Sequence, residues 1–298
     1  MSTGRGARLA AVAPFMWLTL LFLVPLALIA KLSLSEAALA LPPYAPRLDL
    51  HRGLTGLRDF VGGLDLETYA RLFSDRLYVI SFLSSLALAA AASALLLLIG
   101  YPMAYGMARC SPGARSILLP AVVVPFWTSF LIRVYAWIGI LKPAGILSSV
   151  LGLVGLGPVE ILNTNGAVLI GLTYAYLPFM VLPLYAALER QDQSLLEAAA
   201  DLGASPMQTF WRITFPLSLP AVGAGVSLCF IPMVGEFVIP DLLGGSQTLM
   251  VGKTIWTDFF ANRDWPSASA AAIMLLMLLT GPILIWQRWQ ARMGEAVR

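Results

Sequence analysis

Six long apolar runs divide the chain and limit what it can fold into. A transmembrane helix needs about 20 consecutive, mostly apolar residues, and each run reaches that length. Inside lipid every backbone N–H and C=O must find its partner within the protein, which favours helices for such runs. We therefore predict an all-α integral membrane protein with six transmembrane helices, at residues 9–34, 79–103, 116–141, 167–188, 213–240 and 267–287.

The composition agrees with lipid as the main solvent. Apolar residues make up 59% of the 298 residues and charged residues only 12%, whereas soluble domains carry about 25% charged residues. The net charge of +3 is too small to indicate nucleic-acid binding. The first run exceeds the roughly 7–15 residues of a signal-peptide core, so we predict an uncleaved first span.

The distribution of basic residues predicts the orientation. Six spans place both termini on the same side of the membrane. If that side is the cytoplasm, the inner segments hold 9 Lys and Arg in 57 residues, and the outer loops hold 8 in 94 residues. The positive-inside rule therefore favours cytoplasmic termini and a cytoplasmic loop at 189–212 between spans 4 and 5.

This loop carries the most informative local pattern, "SLLEAAADLGASPMQTFWRITFP" at residues 194–216. Ser194 and Glu197 have capping-box spacing, which predicts the start of a helix. Gly203 is suited to the left-handed conformation that follows a helix end. Ser205 and Gln208 form a second capping box. The sequence therefore predicts a helix–turn–helix between two membrane spans.

Two faces of the predicted helix–turn–helix suggest a docking role. Glu197 and Asp201 lie four residues apart on one helical face, which suits a basic partner. The alanines at 198–200 allow another surface to approach closely. A capped interfacial loop without a partner is the alternative. A DNA-reading motif is disfavoured because Arg212 is the only basic residue between Gln191 and Pro216.

The spacing of this loop resembles the signature of permease subunits in binding-protein-dependent ABC importers. That family's pattern is E-A-A, three residues, G, nine residues and I-x-L-P, and here only Phe215 departs from it by replacing leucine. The resemblance implies that the loop is the coupling helix region, which docks on a cytoplasmic ATPase. The implied coupling residues are Glu197, Ala198, Ala199, Asp201, Gly203, Ile213 and Pro216.

Further stretches are similar to the spermidine/putrescine branch of that family. They are "PFWTSFLIRVYAWIGIL" at 125–141, "LPFMVLPLYAALERQDQSLLEAAADLGAS" and "EFVIPDLLGG…NRDWPSASAAAI". The resemblance implies one permease domain over 1–298, in the bacterial cytoplasmic (inner) membrane. It also implies a second homologous permease, a dimeric ATPase that holds ATP and Mg, and an external solute-binding protein. No cofactor and no catalytic residue are then expected on this chain.

Charged residues inside spans are costly and therefore indicate function. Glu236 and Asp241, with the aromatic residues Trp127, Tyr135 and Trp137, suit a polycationic substrate through charge and cation–π contacts. Arg133 would repel a cation, so we assign it a structural or gating role. The alternative is that Arg133 and Glu236 pair with each other or with the backbone, and that the aromatic residues are interfacial anchors.

Other functions remain open at this point. The chain could serve a different small solute, such as another organic cation, a metal ion or an anion, or act as a self-contained secondary carrier. A carrier usually shows an internal repeat, and none is evident. An enzyme is disfavoured because the sequence lacks ligand or triad spacing, and we expect no metal site. "GGSQTLMVGKT" at 244–254 fails the phosphate-loop pattern at Gln247.

Overall fold

A computed structural model describes residue 12 and residues 14–46, 62–155 and 159–296, the side chains of 282 and 285–296 excepted. Residues 9–11 and 13 of the predicted first span lie outside this set. The described helices are α1 (Pro14–Ser33), α2 (Glu67–Ser74), α3 (Arg76–Arg109), α4 (Pro112–Val123), α5 (Phe130–Leu141), α6 (Ile146–Leu153), α7 (Asn165–Glu189), α8 (Gln193–Asp201), α9 (Pro206–Val234), α10 (Val238–Leu243), α11 (Val251–Trp256) and α12 (Trp265–Ala296).

One short β-ribbon interrupts the helices of the described residues. Strands β1 (Glu36–Ala37) and β2 (Tyr44–Ala45) pair antiparallel. The all-α prediction is therefore confirmed apart from this ribbon.

Within the described residues, five segments are long and apolar enough to cross a membrane. They are Pro14–Ser33, Arg76–Arg109, Phe130–Leu153, Asn165–Glu189 and Pro206–Val234. Two shorter apolar helices, Pro112–Trp127 and Trp265–Gly281, overlap the third and sixth predicted spans. The chain is thus a multi-pass membrane protein, and the count of six spans stays a prediction.

The predicted span at 116–141 is interrupted in the structure. Helix α4 passes into a 3₁₀ turn at Val124–Trp127, and Thr128 and Ser129 are extended before α5 begins. The Thr128 hydroxyl donates to the Pro125 carbonyl at 2.8 Å. Such local side-chain hydrogen bonds compete with helix continuation, which explains the break.

The predicted span at 213–240 is interrupted as well. Helix α9 ends at Val234, Gly235 caps it, and the short helix α10 starts only at Val238. The Glu236 carboxylate accepts hydrogen bonds from the amides of Phe237 and Val238, at 3.2 and 3.0 Å. These bonds provide an acceptor for the first amides after the break, so the chain can restart as α10.

The chain divides into two compact units, Met1–Ile80 with Thr254–Leu278 and Ser81–Lys253 with Leu279–Arg298. In the first unit Leu72 packs against Ala270 and Ala271, with both alanines fully buried. Buried Asp258 accepts hydrogen bonds from Tyr78 (2.7 Å) and from Asn262 (3.0 Å). Burial raises the pKa of the Asp258 carboxyl, and these two hydrogen bonds oppose that effect. The prediction of a single domain stays untested.

In the second unit small residues let three helices meet around Met180. This side chain of α7 is fully buried. A Cβ added at Gly100 of α3 would lie 3.1 Å from Met180 Cγ, and one at Gly225 of α9 would lie 2.9 Å from Met180 Sδ. Glycine at these positions gives the thioether room between the helices, as small residues do in membrane interfaces generally.

A second close contact, between backbone atoms of α11 and of the break after α9, fixes the geometry of that break. Gly252 of α11 is buried, and a Cβ there would lie 2.6 Å from the Glu236 carbonyl oxygen and would also clash with the Gly235 carbonyl. The amide of the neighbouring residue, Val251, donates to the buried Ser85 hydroxyl at 2.8 Å. Because backbone atoms cannot swing aside as side-chain tips can, this position requires glycine.

We expect Gly252→Ala to destabilise the protein by about 1–3 kcal/mol, the usual cost of overpacking a core. Gly106→Ala is the matched control, because Gly106 lies in α3 with no atom within 4 Å of its added Cβ. Removing a helix glycine there should leave stability unchanged or slightly raise it. Thermal unfolding midpoints in detergent measure both changes, and equal midpoints for the two variants would contradict the packing argument.

Candidate functional site

The loop at 189–212, which contains α8 and the start of α9, is the first part of the candidate site. Its first helix, α8, starts earlier than predicted. Helix α8 begins at Gln193, with Asp192 as its N-cap, and the Asp192 carboxylate accepts from the Ser194 amide at 2.9 Å. This hydrogen bond lowers the pKa of Asp192. The predicted Ser194–Glu197 capping box is therefore wrong, because a stronger anionic cap lies two residues upstream.

The turn after α8 follows the prediction for Gly203. Its φ is +78°, in the left-handed region. The Gly203 amide donates to the Ala200 carbonyl at 2.9 Å, and the Ala204 amide donates to the Ala199 carbonyl at 3.0 Å. This pair of bonds is a Schellman motif, in which glycine meets the conformational demand at least cost.

The second arm of the loop is capped as predicted. The Ser205 hydroxyl accepts from the Gln208 amide at 3.4 Å, and Gln208 Oε1 accepts from the Ser205 amide at 2.9 Å. Pro206 occupies the first turn, where its missing N–H costs nothing. This arm is the start of α9, which widens into a π-turn at Phe210–Thr214 and continues without a break into the rest of the helix.

The two arms enclose a groove of about 440 Å³. It brings together four of the predicted coupling residues. Glu197 and Asp201 are exposed on α8 and line no part of it, and Pro216 lies exposed in the first turn after the π-turn. Leu202 also lines the groove and is 88% exposed. The predicted residues that line the groove are Ala198, Ala199, Gly203 and Ile213.

An aromatic joint attaches the second arm to α3. The Phe210 ring packs edge-on against Tyr101 and Tyr105, with centroids 5.7 and 5.6 Å apart. The Tyr101 hydroxyl lies 2.8 Å from the Ser218 hydroxyl of α9, and both residues are buried. These contacts make the second arm, α3 and the start of α9 one packed body. Sequence reasoning missed the joint because its rings lie more than 100 residues apart.

Polar contacts of Gln191 and Arg115 close the loop at its base. Gln191 Nε2 donates to the Thr214 carbonyl at 2.9 Å, which ties the start of the loop to its end. Arg115 Nη1 pairs with Glu189 Oε1 at 2.6 Å, and Arg115 Nη2 donates to the Ala108 carbonyl at 2.8 Å. These contacts fix both ends of the loop and thereby hold the groove in place.

The second part of the candidate site lies at the break between α9 and α10. Besides the two backbone amides, the Glu236 carboxylate accepts a hydrogen bond from the Tyr176 hydroxyl of α7 at 2.9 Å. Glu236 thus forms hydrogen bonds with the backbone, which is one of the alternatives that the sequence left open. Within the described residues it has no ion-pair partner, so its charge is held by neutral donors.

The other predicted acid, Asp241, has a cationic neighbour. Lys253 Nζ lies 3.5 Å from Asp241 Oδ1, and 53% of the Asp241 side chain is exposed. An exposed pair of this kind is weak, so a more highly charged cation can compete with Lys253 for the carboxylate. The sequence interpretation did not identify Lys253.

A direct Arg133–Glu236 pair is absent from the described structure, because aromatic rings separate the two residues. The Arg133 guanidinium lies 4.6 Å from the centroid of Phe126. Phe126 packs edge-on against Phe179 at 5.4 Å, and Phe179 lies 6.1 Å from Tyr176, which reaches Glu236. We call Phe126, Phe179 and Tyr176 the aromatic strip. The sequence signal was a ring spacing of three on α7, at positions 176 and 179, which we did not interpret.

The aromatic residues that the sequence predicts for the substrate pathway are scattered around the aromatic strip. Trp127 is 79% and Tyr135 59% exposed, and neither has an aromatic partner in the described part of the chain. Trp137 packs edge-on against Tyr174 of α7 at 5.3 Å. Nε and Nη1 of Arg133 are buried without a hydrogen-bond acceptor among the described residues.

The amino-acid sequence is similar to those of known permeases. It is 44% identical over 227 residues, covering 76% of this chain and 79% of the relative, to the spermidine/putrescine transport system permease protein PotB of Haemophilus influenzae (strain ATCC 51907 / DSM 11121 / KW20 / Rd). It is 42% identical over 234 residues, covering 78% and 85%, to the protein of the same name from Escherichia coli (strain K12).

The fold is similar to that of a bacterial ABC transporter involved in the import of the acidic polysaccharide alginate. The TM-score is 0.68 with 19% identity, over 97% of this chain and 96% of that chain. Residues 113–292, which include the whole loop and both helix breaks, match the model of one family. The chain therefore belongs to the binding-protein-dependent transport system inner membrane components.

Proposed function

We propose that this chain is the membrane-spanning permease subunit of an ATP-driven importer for the polyamines putrescine and spermidine. The observation that carries the proposal is its similarity, over most of both chains, to permeases named for spermidine/putrescine transport. The loop at 189–212, which we call the coupling loop, adds support. Its groove is held in place by hydrogen bonds and an ion pair, and it is suited to a docking partner. The chain forms half of the translocation pathway, and ATP is hydrolysed on a separate subunit.

The partners follow from the same proposal. A second homologous permease completes the pathway, and a dimeric cytoplasmic ATPase binds ATP and Mg and docks on the coupling loop. An external solute-binding protein delivers the polyamine. A related fold has been solved in complex with a periplasmic protein bound to alginate pentasaccharide, which supports this kind of assembly. The loop must then face the cytoplasm, so both termini are cytoplasmic, in agreement with the basic residues.

Within this pathway the charged and aromatic residues take different parts. Glu236 and Asp241 attract the ammonium groups, and Trp127, Tyr135 and Trp137 offer aromatic faces to them. Arg133 has a structural or gating role, since its charge would repel a polyamine and it stacks on Phe126. Uptake of labelled putrescine and spermidine into proteoliposomes holding the four components tests the proposal. Uptake of neither, with ATP present, would refute the substrate class.

We expect Gly203→Pro and Glu197→Lys each to abolish uptake while membrane insertion stays intact. Proline cannot adopt the φ of +78° at position 203, and lysine reverses the charge of the exposed face of α8. Gly203→Asn is the matched control, because asparagine tolerates the left-handed conformation. Uptake and ATPase stimulation are measured together, and wild-type values for both variants would refute the coupling role.

We expect Phe210→Ala to uncouple ATP hydrolysis from uptake. Loss of the ring opens the aromatic joint with Tyr101 and Tyr105, so movement of the loop no longer reaches α3. The measured quantity is the number of polyamines taken up per ATP hydrolysed, which should fall at least threefold. Phe210→Tyr keeps the ring and should keep the ratio. An unchanged ratio in Phe210→Ala would show that the joint only packs the loop.

A further inference from the structure

The aromatic strip runs between two charged residues of opposite sign, both within or beside membrane spans. Charged side chains in such segments avoid lipid and face a protein interior or an aqueous path. Phe179 nevertheless remains 44% exposed in the isolated chain. A face that ends in a guanidinium at one side and a carboxylate at the other is therefore poorly suited to lipid.

The two ends of the strip act differently on a cation. Glu236 receives three hydrogen bonds, all from neutral donors, and has no cationic partner among the described residues. Its negative charge is therefore available to an ammonium group. Arg133 at the other end lies against Phe126, at 4.6 Å, and repels an ammonium group that moves past Phe179.

We propose that the aromatic strip, with Glu236, is the binding lane for a linear polyamine in this permease. One terminal ammonium group lies at the Glu236 carboxylate, and the far end of a triamine places another ammonium group over the ring of Phe179, while the methylene groups between them contact Tyr176. Arg133 ends the lane. This inference rests on the proposed function, and it assigns Tyr176, Phe179 and Phe126 to the substrate.

The lane predicts a dependence on cation length. Aromatic faces attract ammonium groups by about 0.5–2 kcal/mol, depending on desolvation, which corresponds to roughly 2- to 30-fold. A longer triamine that is held at Glu236 still reaches Phe179, whereas a short diamine reaches it less fully. Removing the Phe179 ring should therefore slow spermidine transport more than putrescine transport.

The test uses the complete complex in proteoliposomes, with a saturating concentration of loaded binding protein. Maximal uptake and ATP hydrolysis are measured with each polyamine. We expect Phe179→Leu to lower spermidine uptake per ATP about three- to tenfold and putrescine uptake less. Phe179→Tyr, which keeps the aromatic face, should stay within twofold of the wild type. Glu236→Gln keeps an acceptor for the backbone amides but loses the charge, so it should lower uptake of both polyamines.

Phe130→Leu is the matched control. The ring of Phe130 also lies near Arg133, at 5.7 Å, but it is outside the strip. The same substitution there should leave uptake unchanged. If Phe179→Leu lowers both polyamines equally, or if Glu236→Gln transports both at the wild-type rate, the lane is wrong.

Co-purification of the second permease separates the remaining outcomes. If Phe179→Leu loses that subunit from the complex, the strip is a subunit interface and the lane is overturned. If the wild-type complex imports no polyamine at all, the proposed function fails before the lane is tested. If the wild type imports both polyamines and every variant matches it, only the lane fails.

Discussion

The structure depends on one constraint, that backbone polar groups inside lipid must be satisfied by the protein itself. Continuous helices meet it without help, and the two interrupted segments meet it with side chains. Thr128 bonds the carbonyl of Pro125 where α4 ends, and Glu236 bonds two amides where α10 begins. Irregular backbone at membrane depth is tolerated where protein or an aqueous cavity surrounds it. The breaks therefore mark the places where this chain departs from a simple bundle.

The same constraint explains why glycine recurs at close helix contacts. Lipid offers little hydrophobic gain for helix association, so packing and hydrogen bonds must supply it. Met180 fits between Gly100 and Gly225, and the backbone at Gly252 meets the carbonyls of the α9–α10 break. The break is thus a defined geometry with its own buried contacts rather than a frayed helix end. A carboxylate held there has a fixed direction, which a site for a charged solute needs.

Local patterns could be predicted well from the sequence, and contacts between distant residues could not. The left-handed Gly203 and the Ser205–Gln208 box depend on neighbours a few residues away, so their spacing was sufficient. The Ser194 cap failed because Asp192, an equally local but stronger cap, was overlooked. The exact positions of the breaks, at 128–129 and 235–237, could not be predicted because an apolar average over 20 residues hides a single competing hydrogen bond. Nothing in the sequence shows that Phe210 meets Tyr101, or that rings separate Arg133 from Glu236.

One helix joins the two parts of the candidate site. Helix α9 runs from Pro206 in the coupling loop to Val234, next to Glu236. At about 1.5 Å per residue its 29 residues span roughly 43 Å, which is more than the hydrocarbon thickness of a bilayer. Helix α9 packs on α7 around Met180, and it carries a π-turn at Phe210–Thr214 and prolines at 220 and 232, which are the usual places for a helix to bend. The loop and the Glu236 carboxylate therefore lie at the two ends of one continuous helix, which is the connection that the proposed coupling uses.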